Sequence, residues 1–287
     1  MLANYNKTLT FSKNIVYSIG MIDYCYHTHT ARCGHATGTE EEYIQSAIKN
    51  GLKVIGFTDH VFLPGIDQPG MRGSYQELDD YISTINKLKE KYKDQIEIHL
   101  GFECEYGKRF EEYYQSLLKE KGIEYLILGQ HLFFNNDGTL KWLFSYENPD
   151  EALERYVDQI IEGLKTGLFT YVAHPDLFIR YYSEITPFVD NQIRKLCRAC
   201  AEYDAPLEIN LGGLRFKQYL REGKINYASE EFFKIASEYP IKVIVGVDAH
   251  DPNDFNDGVS DYDFAENLIK KYHLNHIKRL AIKKQSI

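Results

Sequence analysis

The chain reads as an α/β protein: a distorted (β/α)7 barrel in one domain, with a metal site at the C-terminal ends of its strands. Three observations predict this. Seven short apolar runs, each followed by a helical pattern, succeed one another along 287 residues without a linker or a break in composition, and alternating βα units make a parallel sheet. The runs are close to continuously apolar, as residues 241–247 are, which suits strands buried on both faces. Ligand-type or polar side chains stand at the ends of nearly all the runs. An open doubly wound sheet would gather ligands at one switch point, whereas a barrel builds its site around the whole C-terminal rim.

The elements follow in order. Residues 22–26 are β-branched and aromatic, a first strand that runs out into His27, His29 and, in a loop, His35. Thr39 and Glu42 form a capping box that opens a helix ending at Gly51. Strand 53–58 leads to Asp59-His60 and a Gly/Pro-rich loop, 63–73. Ser74 with Glu77 then opens a helix to Tyr92. Strand 96–102 delivers Glu103, and helix 109–121 follows. Strand 125–129 ends at Gln130-His131. The aromatic segment after it (Phe133, Phe134, Trp142, Phe144, Tyr146) surrounds Asp137-Gly138, a hairpin signal. Asn148-Pro149 starts a helix to Gly167. Strand 169–173 ends at His174-Pro175-Asp176, before helix 190–203. Strand 206–210 precedes Gly212-Gly213 and Arg215, with helix 229–239 beyond. Strand 241–247 ends at Asp248-Ala249-His250, and the last helix is 262–272. Residues 1–20 are polar and irregular and read as an extension outside the fold, leaving 21–287 as the domain.

A composition of 44% hydrophobic and 26% charged residues supports a sizeable core. The formal net charge of -9 argues against a nucleic-acid groove or a polybasic membrane patch. It leaves room for a small phosphorylated substrate, because a local metal cluster overrides the global sign. No apolar run is long enough to span a membrane, and the start lacks a signal-peptide stretch. The five cysteines, at 25, 33, 104, 197 and 200, are odd in number and form no spaced framework. They predict a reducing, cytoplasmic setting without structural disulfides, with Cys197-x-x-Cys200 as core-facing thiols. A homo-oligomer is compatible with all of this.

Chemistry concentrates at the strand ends. His27 and His29 sit two apart, so they project together, about 7 Å apart along an extended chain. With His35, His60, Glu103, His131, His174, Asp248 and His250 they make nine ligand-type groups, and seven of the ten histidines lie at this rim. One zinc takes four or five donors; nine suit two or three divalent ions sharing a carboxylate, for which Glu103, from a central strand, is placed. Two carboxylates against about six positive charges leave a surplus that a multiply charged anion fills, which points to a phosphate ester. His99, in strand three, reads as core or second rank. His273 and His276 read as solvated.

His27-x-His29, Thr58-Asp59-His60, Gly101-Phe102-Glu103, His131, Ala173-His174-Pro175-Asp176 and Asp248-x-His250 resemble the polymerase-and-histidinol-phosphatase (PHP) superfamily. His27-Thr28-His29 with Cys33-Gly34-His35, and Val247-Asp248-Ala249-His250, look like its histidinol-phosphate phosphatase branch. The resemblance implies a trinuclear centre of zinc, manganese or iron. One ion would take His27, His29, Glu103 and Asp248; a second Glu103, His131 and His174; a third His35, His60 and His250. It implies hydrolysis of histidinol phosphate by in-line attack of a hydroxide held between ions. Asp59 and Asp176 would orient ligands or move a proton. Arg180, Arg215 or Arg32 would hold phosphate oxygens, and Glu105, Asp67 or Asp176 a substrate ammonium. Another phosphatase (nucleotide, sugar or phosphotyrosine), a 3'–5' exonuclease, or a metal-binding module without turnover are the competing readings.

Overall fold

The computed structural model describes residues 22–215, 220–256 and 259–282; the extension expected over 1–20 lies outside the described residues. The strands are β1 (Tyr24–Cys25), β2 (Val54–Phe57), β3 (Glu97–Cys104), β4 (Tyr125–Leu128), β5 (Leu132–Phe134), β6 (Leu140–Trp142), β7 (Tyr171–Val172), β8 (Leu207–Asn210), β9 (Lys242–Gly246) and β10 (Asn275–His276). Between them run α1 (Glu40–Lys49), α2 (Leu78–Tyr92), α3 (Glu111–Lys119), α4 (Pro149–Lys165), α5 (Pro187–Glu202), α6 (Gly212–Arg215), α7 (Glu230–Ala236) and α8 (Tyr262–Tyr272).

One parallel sheet has the order β1-β2-β3-β4-β7-β8-β9-β10. At the C-terminal rim the ring closes through a parallel bridge between Thr28 and Ala249, with His29 N donating to Ala249 O at 2.9 Å. At the floor β10 lies alongside β9, and the Tyr24 hydroxyl bonds His276 Nε2 at 2.8 Å. This is the expected seven-stranded distorted barrel with a short eighth strand wedged under it. That strand corrects the expectation for His276, which is half-buried rather than solvated. The β5–β6 hairpin is the element signalled by Asp137-Gly138.

Caps set the helix boundaries. The Thr39–Glu42 box opens α1, and Asn148 with Pro149 opens α4. Helix α5 starts at Pro187, three residues ahead of the expected 190, because the Thr186 side chain caps it from outside. Period two governs the strands: Leu207 and Ile209, or Val243 and Val245, face the helices and join the main core, while Ile127, Tyr125, Tyr171 and Ile244 fill the lumen. The lumen tyrosines are plugged into place by backbone: Tyr125 OH donates to Tyr26 O at 2.8 Å. All five cysteines are buried and free, Cys197 and Cys200 included.

β1 is shorter than expected, and the chain bends at Tyr26. The bend shifts the parity, so Tyr24 and Tyr26 face the lumen and so do His27 and His29 above them. Glu103, Asp248 and Glu208 arrive from β3, from beyond β9 and from β8, all on lumen-facing positions.

Candidate metal centre

All nine sequence-predicted ligands converge above the lumen plug. His27 Nε2 lies 3.1 Å from His29 Nε2, and both lie 3.3 Å from Asp248 Oδ1. Glu103 Oε2 is 3.6 Å from His27 Nε2 and 3.3 Å from His29 Nε2. Donors about 2.0–2.1 Å from one tetrahedral ion stand about 3.4 Å from each other, so His27, His29 and Asp248 have the spacing of one coordination sphere, with Glu103 beside both histidines. The other oxygen of Glu103 faces the opposite side: Oε1 is 2.7 Å from His174 Nε2 and 3.6 Å from His131 Nε2. His60 Nδ1 stands 3.1 Å from Oε2. His35 and His250 meet through their Nε2 atoms at 3.1 Å on the outer side. Two imidazole nitrogens facing each other share at most one proton, and here they recur in two pairs.

The inner donors are sealed and the outer ones are not. His27, His29, Glu103 and His174 are buried, whereas His35 is exposed and His131 and His250 are partly so. Electrostatics suit cations. Burial opposes protonation of His27, but the Glu208, Asp248 and Glu103 carboxylates outweigh it and hold the ring well above its ordinary range. Burial pushes Glu103 up, but the surrounding histidines carry it well below the usual carboxylate range. Burial holds His60 and His250 down, His250 to about 3, leaving their lone pairs available. The donor set therefore fits a multi-ion site, with the His60 and His250 imidazoles held neutral and a charged carboxylate at the middle.

Two candidate ligands sit in strained backbone: His174 has φ +30° and Asp248 φ +52°, a conformation that non-glycine residues adopt mainly where surrounding structure enforces it. At Asp248 the enforcer is Arg215. Its Nη2 donates to Val247 O at 2.7 Å and Asp248 O at 2.6 Å, Nη1 to Ser260 Oγ at 2.8 Å, and Nε lies 3.3 Å from Asp254 Oδ1. This guanidinium, expected on phosphate, is spent on holding the rim. Arg32 is likewise turned away, onto Glu40 and Asp80. Arg180 sits on the turn after His174, its guanidinium 5.7 Å from the Phe144 ring.

Asp59 accepts from Thr30 N at 2.8 Å and Thr30 Oγ1 at 2.9 Å, fixing the turn after His29. Asp176 Oδ2 accepts from Ser229 N at 2.6 Å. Burial pushes both carboxyls up to about 7. Of the carboxylates considered for an ammonium, Asp67 is exposed, and Glu105 is already committed. Its Oε2 pairs with Arg72 Nη2 at 3.0 Å and its Oε1 faces His131 Nδ1 at 3.3 Å. Arg72 also donates to Val61 O at 2.8 Å, and both partners of this ion pair are fully buried. Burial raises Glu105, but the Arg72 guanidinium wins and holds it below its ordinary range. Arg72→Met leaves that carboxylate buried without its counter-ion, and denaturant titration should read a loss of about 3–5 kcal/mol.

Sequence reasoning passed over Arg72 and Glu208. Glu208 is the one charge in a wholly buried strand, a signal that was present. It faces His27 Nδ1 at 2.9 Å.

A parallel barrel with a buried carboxylate shared among histidines at its C-terminal rim suits metal-assisted hydrolysis of phosphoesters. The chain belongs to the PHP domain family, whose model matches residues 26–212, and it is a histidinol-phosphatase-like phosphoesterase. It is 29% identical to the histidinol-phosphatase of Bacillus subtilis, over 79% of this chain and 93% of that protein. It is 28% identical to a probable histidinol-phosphatase of Deinococcus radiodurans, over 79% and 86%. The structure of histidinol phosphate phosphatase from Lactococcus lactis, complexed with zinc, L-histidinol and phosphate, shares the fold. Its TM-score is 0.68 at 21% identity, covering 92% of this chain and 99% of that one. No helix among the described residues is long and apolar enough to cross a membrane.

Proposed function

We propose that this chain hydrolyses L-histidinol phosphate to L-histidinol and phosphate, with two or three divalent ions drawn from zinc, manganese and iron. The observation that carries the reading is Glu103. Its two oxygens face separate groups of histidines, His27, His29 and His60 on one side and His131 and His174 on the other. His27, His29, Glu103 and Asp248 would hold one ion, Glu103, His131 and His174 a second, and His35, His60 and His250 a third. Ions held there lower the pKa of water and offset the charge of a phosphoryl group. The named relatives supply the substrate.

The protein's own part is placement. Deep, buried donors exclude bulk water around Glu103, and the partly exposed side bearing His35, His131 and His250 admits the substrate. Arg180, on the turn that follows His174, is the arginine assigned to phosphate oxygens. Asp59 holds the backbone next to His29 and Asp176 ties the turn after His174 to Ser229 N, so both act as positioning residues. The acidic balance of the chain disfavours a polynucleotide substrate.

Phosphate release from L-histidinol phosphate, nucleotide and sugar monoesters and phosphotyrosine, with manganese or zinc added, is the direct test, and shortening of single-stranded DNA is followed in parallel. Activity on histidinol phosphate should dominate and should vanish with a chelator, returning on readdition of the metal. Preference for another ester moves the protein to a neighbouring specificity. Chelator-resistant turnover overturns the mechanism.

A further inference from the structure

We propose that Glu208 is a positioning residue that anchors two ligand histidines from opposite halves of the basin at once, so that its loss weakens cation binding in both halves. The inference rests on the metal-centre reading above. Glu208 lies on β8, wholly buried at the top of the lumen. Its Oε1 and Oε2 are 2.9 and 3.1 Å from His27 Nδ1. Oε2 also accepts from His174 N at 2.9 Å and from Asn210 Nδ2 at 2.7 Å.

The two contacts do different work. A carboxylate against Nδ1 keeps the proton on that nitrogen, which leaves the Nε2 lone pair of His27 aimed at Glu103 and Asp248. At His174 the contact is to the main chain. That residue has φ +30°, and Glu208 ties down its N–H where the backbone is strained. His174 Nε2 then lies 2.7 Å from the far oxygen of Glu103. One carboxylate, Glu103, stands between the two histidine groups; another, Glu208, fixes one member of each group from below.

The surroundings are shaped to this carboxylate. On the adjacent strand a Cβ at Gly246 would stand 1.8 Å from Glu208 Oε1, closer than any side chain tolerates, so the strand keeps a glycine where the carboxylate passes. The three atoms nearest a Cβ at Gly246 all belong to Glu208, which makes this glycine an indirect handle on that carboxylate.

The test compares wild type, Glu208→Gln, Gly246→Ala and His131→Ala, each as the full chain. Zinc binding is measured by equilibrium dialysis with elemental analysis, and the visible spectrum is recorded after loading with cobalt. Glutamine keeps the shape but can present an N–H to His27, so the Nδ1 proton is no longer enforced. Glu208→Gln and Gly246→Ala should each weaken both classes of bound zinc by about 10–100-fold and alter the cobalt spectrum, while His131→Ala should affect one class. Wild-type affinities and an unchanged spectrum in Glu208→Gln would overturn the positioning role and leave the metal centre standing. Loss of only one class would overturn the coupling. Failure of the wild type itself to bind zinc would overturn the metal reading.

Discussion

Replacing Glu103 by glutamine should lower kcat/KM for phosphate release by about a thousandfold or more, which corresponds to about 4 kcal/mol of transition-state stabilisation, while the barrel melts at or above the wild-type temperature. Each oxygen of this carboxylate has its own set of histidine nitrogens, at 3.1–3.6 Å and 2.7–3.6 Å for the two sides. An amide offers an acceptor to one side and a donor to the other. An amide N–H can donate to an imidazole lone pair but is repelled by a cation and cannot coordinate one, so one half of the basin loses its shared ligand. Stability should not suffer in the same way, because the buried negative charge is itself costly and is balanced only by the histidines around it. Measuring zinc stoichiometry beside turnover separates the two effects. Full stoichiometry with turnover within tenfold of wild type would show that Glu103 is not the shared ligand.

The convergence of the candidate ligands was legible in the sequence because nearly all of them stand at or just past the end of a strand. Once strand ends are known to share a rim, His60, Glu103, His131, His174 and Asp248 fall together without any long-range information. Even His35, in a loop, reaches His250, since that loop is short and tied down by Asp59 on Thr30. What the sequence could not show is how the remaining polar groups pair. Arg215 follows two glycines and looks placed for an anion, yet its partners are carbonyls more than thirty residues away. Glu105 looked available to a substrate, and Arg72, from a Gly/Pro-rich loop, takes it. Such pairings depend on which of several equally charged neighbours arrives first in space, and no local pattern encodes that. β10 escaped notice for a related reason: two residues, Asn275 and His276, carry no periodicity, and only the gap between β9 and β1 at the floor makes them a strand.

Gly129→Ala should cost about a hundredfold in kcat, an effect of the size expected when a reacting constellation is displaced by about 1 Å. A Cβ built at Gly129 stands 1.9 Å from Glu103 Oε1, 2.7 Å from its Cδ and 2.9 Å from its Cγ. The methyl cannot yield, because it is fixed to the end of β4. The carboxylate cannot retreat cheaply, because His27, His29 and His60 stand on its other side. Something must move by roughly 1 Å to restore van der Waals distance, and the movable group is the one proposed to sit between the ions. Overpacking of this kind also destabilises by about 1–3 kcal/mol, so thermal unfolding should be followed together with kinetics at saturating metal. A loss of turnover that survives saturation with zinc or manganese identifies displacement rather than weakened binding. Turnover at the wild-type level would mean that Glu103 shifts freely without consequence, and a group free to shift by 1 Å cannot be the fixed point on which both halves of the basin depend.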